Sequence, residues 1–344
     1  MSQRALIARL AKENGLVIVS PEALDLRRQR CGKGFAFVTP SGQFLRDPAE
    51  IARLRSLAVP PAYINVRYAS NRAAHLQAIG EDAAGRLQYR YHQKWAEVRE
   101  ALKARRLNRL ATALPGIRRA LGRCLASQII DLGFAAASVI ELVSLTAIRA
   151  GGEEYAREHG TRGATTLLKS NVRLGDDGKQ VTLTFKAKGG KPFSRDVRSR
   201  RLHGAVTRLL TLPGRRLFQV AGADGVVRPI RAGDVNAFLQ SMTGKRISLK
   251  DFRTLIASAA ALRALASTVP AESAAKRRRQ VRDTVVEIAG ELANTPTVCR
   301  TSYVHDAVIA AFEAGALKRL ARKKARSPVG QADALARVIT RHAG

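Results

Sequence analysis

The sequence predicts an α+β protein of two lobes, a small β-rich one at the N-terminus and a larger, mainly α-helical one after it. Three observations carry that prediction. Gly and Pro punctuate short apolar runs densely up to about residue 91, and long Ala/Leu/Arg segments with helical spacing follow. The chain has 344 residues with 46% hydrophobic content, which is ample for more than one small core.

In the first lobe, residues 1–91, Cys31-Gly-Lys-Gly34, Thr39-Pro-Ser-Gly42, Val59-Pro-Pro61 and the Gly80 to Gly85 stretch separate strand-like runs such as 16–19 and 35–38. The one clear helix there follows Asp47-Pro48, where Asp47 can cap, Pro48 fits the first turn, and Ile51, Leu54 and Leu57 form the buried stripe. Beyond Tyr91, in residues 92–344, the spacing predicts helices over 95–114, 117–132 and 136–149. Residues 181–188 alternate as a strand does, Gly189-Gly190 turns, and 191–197 alternate back, so a β-hairpin is expected over 181–197. Helices resume from Arg201, and the C-terminal region from Lys318 to Arg326 reads as a basic tail.

The charge narrows the function classes. Sixty Lys+Arg against 27 Asp+Glu leave a formal net charge of +33. Such self-repulsion is compensated by a polyanion such as DNA, RNA or an anionic membrane, and a two-lobed basic clamp closing around a duplex makes double-stranded DNA the expected partner. Both lobes are basic, as a two-lobed cationic clamp would be. No run of about 18 apolar residues is present and no secretory signal opens the chain, so membrane is the weakest of these partners and a cytoplasmic, nucleoid-associated protein is expected. No GxxxxGK[ST] loop is present, which argues against nucleotide-driven work. Cys31, Cys124 and Cys299 lack CxxC or His-paired spacing, so no disulfide framework, metal or cofactor is expected. His92, His159 and His305 read as surface residues.

Three segments stand out among many basic residues. Leu145-Thr-Ala-Ile-Arg149-Ala-Gly-Gly brings an arginine from a packed helix to glycines, where backbone is expected to approach a phosphate. Ser248-Leu-Lys-Asp-Phe-Arg253-Thr sets Lys250 and Arg253 three apart at the start of an Ala-rich helix, on one face. Asn294-Thr-Pro-Thr-Val-Cys-Arg-Thr-Ser-Tyr303 has a Pro-started helix followed by a tyrosine.

In this order, with a lysine hairpin between the first two, these segments resemble the active site of type IB DNA topoisomerases, specifically the short poxviral and bacterial enzymes. The N-terminal lobe is similar as well, through Arg46-Asp-Pro48, Val59-Pro-Pro-Ala-Tyr63 and Gly85-Arg-Leu-Gln-Tyr89-Arg-Tyr91-His. The resemblance implies a monomeric enzyme, independent of ATP and metal, that nicks one strand of duplex DNA, lets supercoils escape by rotation, and reseals the nick.

Carried onto this sequence, it implies Tyr303 as nucleophile, Arg149 and Arg253 as essential arginines, and Lys188 as the hairpin lysine, with Lys186 and Lys191 near enough to leave the register open. Asn294 stands where many members have histidine. Tyr89, Tyr91, Tyr155 and Lys250 are expected DNA contacts.

The residue types suit the chemistry independently. Metal-free phosphodiester cleavage needs a nucleophile, a proton for the departing 5'-oxygen, and cationic donors for the equatorial oxygens. Two rivals remain at this stage. A tyrosine recombinase uses the same kind of tyrosine, but usually with His-x-x-Arg where this chain has Lys250-Asp-Phe-Arg253. A non-catalytic basic DNA-binding protein would need the charge alone.

Overall fold

The computed structural model describes residues 2–222, 226–317 and 328–342, so the basic run Lys318 to Arg326 lies outside the described residues. The chain divides into two compact units, Met1–Lys103 and Ala104–Gly344.

The first unit opens with α1 (Gln3–Glu13), capped by Ser2. A five-stranded antiparallel sheet follows, ordered β2-β1-β3-β4-β5. Its strands are β1 (Leu26–Cys31), β2 (Gly34–Val38), β3 (Ile64–Tyr68), β4 (Leu76–Glu81) and β5 (Leu87–Tyr91), and α2 (Pro48–Ser56) lies between β2 and β3. Asp47 accepts from the Ala49 N–H at 2.9 Å, and Ile51, Leu54 and Leu57 pack on Leu26, Phe37, Val66 and Tyr68, as the motif predicts. Helix α1 is not in the sequence reading, because its buried side is narrow: Leu10 and Ala11 pack with Leu16 and Val98. Residues 16–19 form no strand of their own and contribute a single bridge, Val17 to Ala74.

Helix α3 (Trp95–Ala126) is continuous, with Pro115 inside it where the sequence suggested a break. The division between the units falls within this helix. Composition changes at Tyr91, where β5 ends, but the first unit continues to Lys103 because Trp95 and Val98 pack on Leu10 and Leu16.

The second unit is mainly helical. It contains α4 (Leu132–Thr146), α5 (Glu153–His159), α6 (Arg200–Leu210), α7 (Ala232–Thr243), α8 (Leu249–Ala266), α9 (Ala274–Glu291), α10 (Pro296–Ser302), α11 (Asp306–Glu313) and α12 (Pro328–His342). One core runs through it, centred on α4 and α8, with Phe134, Ile140 and Phe252 fully or almost fully buried. Helix α12 belongs to that core through Ala332, Leu335, Val338 and Ile339.

The expected hairpin is present as β7 (Gln180–Lys186) and β8 (Pro192–Arg198), paired Phe185 to Phe193. It gains a third strand, β6 (Val172–Leu174), and a separate ribbon forms from β9 (Gln219–Ala221) and β10 (Val227–Pro229). Three-residue strands carry too little alternation to be read from sequence.

Candidate active site

The site is built where two helices end. Helix α4 closes at Ala147, whose φ of 54° is left-handed, and the chain then leads through buried Ile148 to half-buried Arg149. The segment after Arg149 is clamped by a short turn. Ala164 N–H donates to the Arg149 carbonyl at 2.7 Å, and Thr165 N–H donates to that of Ala150 at 2.8 Å. A Cβ at Gly163 would lie 2.6 Å from the Arg149 carbonyl oxygen and 2.5 Å from the Gly151 nitrogen. Gly151 and Gly163 therefore permit a close approach of chain to chain at this point.

Helix α8 supplies Arg253 from its first turns. Ser248 and Asp251 close a reciprocal cap there, with Ser248 N–H and Oγ both donating to Asp251 at 2.8 and 2.9 Å, so the aspartate is engaged in capping. Lys250 stays exposed, whereas Arg253 is 3% exposed. One arm of its guanidinium donates to the Ala147 carbonyl and the other to that of Leu292 at 3.4 Å. Its Cζ lies 4.9 Å from the centre of the Tyr303 ring.

Helix α9 ends in a parallel way. Ala293 is left-handed (φ 49°), and Asn294 N–H turns back to the Ala289 carbonyl at 2.8 Å. The Asn294 side chain accepts from Arg149 through Oδ1. A guanidinium only donates, so this bond fixes the amide's orientation and leaves Nδ2 facing the other way. That Nδ2 and the Arg253 Nε are buried donors with no partner among the described residues.

Thr295 then caps α10, and Tyr303 follows its last turn, 5% exposed. Its carbonyl accepts from Ser258 Oγ at 2.7 Å, and Ser258 Oγ in turn accepts from the His305 N–H at 3.1 Å. His305 is buried rather than on the surface. It caps α11, its Nδ1 accepting from Ala307 N–H at 3.1 Å.

The electrostatics follow from this packing. Burial by itself would raise the pKa of the Tyr303 hydroxyl, but the charge and hydrogen bond of Arg253, helped by Arg149 and Lys250, outweigh it and hold the hydroxyl below the ordinary tyrosine range. Burial pushes the neighbouring Cys299 thiol up to about 11 despite Arg253, so it stays protonated and unreactive at neutral pH.

The structure thus brings Arg149, Arg253, Asn294 and Tyr303 together, with Lys250 within electrostatic reach. Lys188 sits on the hairpin turn, exposed, its ammonium 5.4 Å from the centre of the Tyr155 ring. Lys186 is exposed on β7, while Lys191 donates to the Asn294 carbonyl at 3.3 Å. Tyr155 is 38% exposed and stands edge-on to His159. In the first unit, Tyr89 and Tyr91 project from edge strand β5 on one face, 44% and 40% exposed and stacked 6.1 Å apart.

Residues 92–327 match the family model described as eukaryotic DNA topoisomerase I, catalytic core, and residues 34–82 match that of the bacterial DNA topoisomerase IB N-terminal domain. This chain belongs to the type IB DNA topoisomerases. A curated relative, the DNA topoisomerase 1B of Acanthamoeba polyphaga mimivirus, is 28% identical over 284 residues, covering 80% of this chain and 84% of the relative. Among the described residues of this topoisomerase, no group of three or more His, Cys, Asp or Glu is arranged to hold a metal, and no helix is long and apolar enough to cross a membrane.

Sequence reasoning missed Ser258, which ties the Tyr303 backbone to α8, and Arg162, which lines a small cleft with Arg149, Leu292 and Ala293. A serine in an Ala-rich helix and one arginine among many carry no local signal of either role.

Proposed function

We propose that this type IB topoisomerase relaxes supercoiled duplex DNA through a 3'-phosphotyrosyl intermediate formed on Tyr303. The phenolate oxygen attacks the backbone phosphorus in line, the bond to the 5'-oxygen breaks, and that oxygen leaves as a hydroxyl after taking a proton from Lys188. Arg149, Arg253 and the amide of Asn294 donate to the non-bridging oxygens as charge builds on them. The free 5'-hydroxyl end rotates about the intact strand. It then attacks the phosphotyrosine, returns its proton to Lys188, and restores both DNA and Tyr303.

The observation that carries this reading is the buried packing of Tyr303 against Arg253 beside the Arg149–Asn294 pair. It also supports an answer to how the tyrosine is activated. Three cations lower the Tyr303 hydroxyl toward the phenolate, which supports activation by those cations rather than by a carboxylate or histidine base. The two unpartnered donors, Arg253 Nε and Asn294 Nδ2, are what a phosphate oxygen would satisfy.

Tyr89, Tyr91, Tyr155 and Lys250 are proposed to hold the flanking backbone, with rings against sugars and hydroxyls or ammonium on phosphates. The enzyme is proposed to work as a monomer in the cytoplasm, on the nucleoid, without nucleotide, metal or membrane. Incubation with negatively supercoiled plasmid in EDTA, without nucleotide, tests the reading: a ladder of relaxed topoisomers is expected, and an unchanged plasmid refutes it. Recombined circles would point to a recombinase instead.

A further inference from the structure

Strand β8 alternates Phe193, Arg195 and Val197 on one face. Phe193 and Val197 are buried in the core, and half-buried Arg195 occupies the position between them. Its guanidinium bridges two helix ends. Nη1 donates to the Thr146 carbonyl at 2.8 Å and Nη2 to the Glu291 carbonyl at 2.8 Å. Thr146 and Glu291 are the last residues of α4 and α9. Carbonyls at a helix C-terminus lack intrahelical partners and carry the negative end of the helix dipole, so a planar cationic fork suits two such ends at once.

The next residue along each chain, Ala147 and Leu292, is held by the fork of Arg253. Two arginines therefore form successive rungs between the same pair of helix ends. At the Arg253 rung on one side (Ala147) and just past it on the other (Ala293), the chains bend at left-handed alanines and deliver Arg149 and Asn294, whose side chains bond each other. The rungs differ in what surrounds them. Arg253 also contacts Tyr303 and, on the reading proposed above, shares its donors with the phosphate. The contacts described for Arg195 are the two carbonyls and the ring of its strand neighbour Phe193, 5.4 Å from its Cζ, so its rung does not have to open when Arg253 turns to the DNA.

We propose that Arg195 is a positioning residue for strand cleavage: it fixes the spacing of the α4 and α9 ends, and through them the relative placement of Arg149 and Asn294. Because β8 begins just after the turn that carries Lys188 and Lys191, the same rung sets the hairpin against those two groups. The inference rests on the catalytic roles given to Arg149 and Asn294.

The test is single-turnover cleavage at saturating DNA by Arg195→Ala and Arg195→Lys, with DNA affinity and melting temperature measured alongside. Displacement of catalytic groups by about 1 Å costs on the order of 10²-fold, so Arg195→Ala should cleave about 10- to 100-fold more slowly while its Kd changes less than about threefold. Arg195→Lys reaches one carbonyl and should fall between, which also covers the case in which the alanine variant fails to fold.

The deciding measurement is the same substitution in an Arg149→Ala/Asn294→Ala background. There it should cost less than about threefold, since the groups it positions are gone. A full additional loss in that background, a Kd that weakens as much as the rate, or wild-type cleavage by Arg195→Ala would each overturn the proposal. Failure of the underlying reading shows separately: Arg149→Ala and Asn294→Ala would then cleave at the wild-type rate.

Discussion

The helix-end cluster and the hairpin turn offer opposite environments for groups assigned to the same phosphate. Tyr303, Arg253 and Asn294 are 5%, 3% and 8% exposed, gripped by backbone carbonyls and by one another. Lys188 lies on an exposed turn whose Gly189 and Gly190 adopt φ of 78° and 73°. The difference matches two kinds of work. Charge stabilisation depends on dipoles and cations already oriented before reaction, which a packed setting supplies. Proton delivery needs one group at one oxygen, and an exposed turn can bring it there when DNA is bound.

The largest effect expected to break this comparison is at the nucleophile. Tyr303→Phe should retain DNA binding yet give no covalent adduct on a denaturing gel; any adduct would assign the attack elsewhere. Next come the buried donors. Arg149→Ala and Arg253→Ala should each slow single-turnover cleavage by about 10²- to 10³-fold, or about 3 to 4 kcal/mol. Arg253→Ala should also lower the melting temperature, because the Ala147 and Leu292 carbonyls lose their donor. Equal melting temperatures for the two variants would contradict the structural half of the Arg253 role.

The hairpin lysines sharpen the contrast. Replacing the bridging 5'-oxygen with sulfur, a far better leaving group, should rescue cleavage by Lys188→Ala and leave Lys191→Ala uncorrected, since Lys191 is engaged with the Asn294 carbonyl. Rescue of the Lys191 variant alone would exchange the two assignments.

The smallest effect concerns pH. Burial raises the Tyr303 hydroxyl, and Arg253, Arg149 and Lys250 lower it to below the usual range. Removing Lys250 takes away one lowering influence, so the rising limb of the rate against pH in Lys250→Ala should move to higher pH, with the alkaline plateau kept. An unmoved limb would mean that Lys250 acts on DNA alone.

The parts legible in sequence were those with local chemistry. Asp47-Pro48 announced α2, the alternation around Gly189-Gly190 announced the hairpin, and the spacing within Lys250-Asp-Phe-Arg253 announced a helix start. What stayed hidden depends on long-range packing. Alanine seldom adopts the left-handed conformation, so nothing marks Ala147 or Ala293 as bends. Gly151 and Gly163 read as two ordinary loop glycines until their backbones meet. His305 looks like a surface histidine in a polar stretch, but α11 begins there and draws it into a cap. The hairpin lysines could not be ranked from sequence because neighbouring residues on a turn project in different directions.

Those two alanine bends also bear on engineering. A left-handed alanine is disfavoured by about 1 to 2 kcal/mol, and glycine would relieve that strain. A library selected for heat resistance should accordingly be drawn to glycine at 147 and 293. The survivors, freer at the joints that aim Arg149 and Asn294, should be the slower cutters.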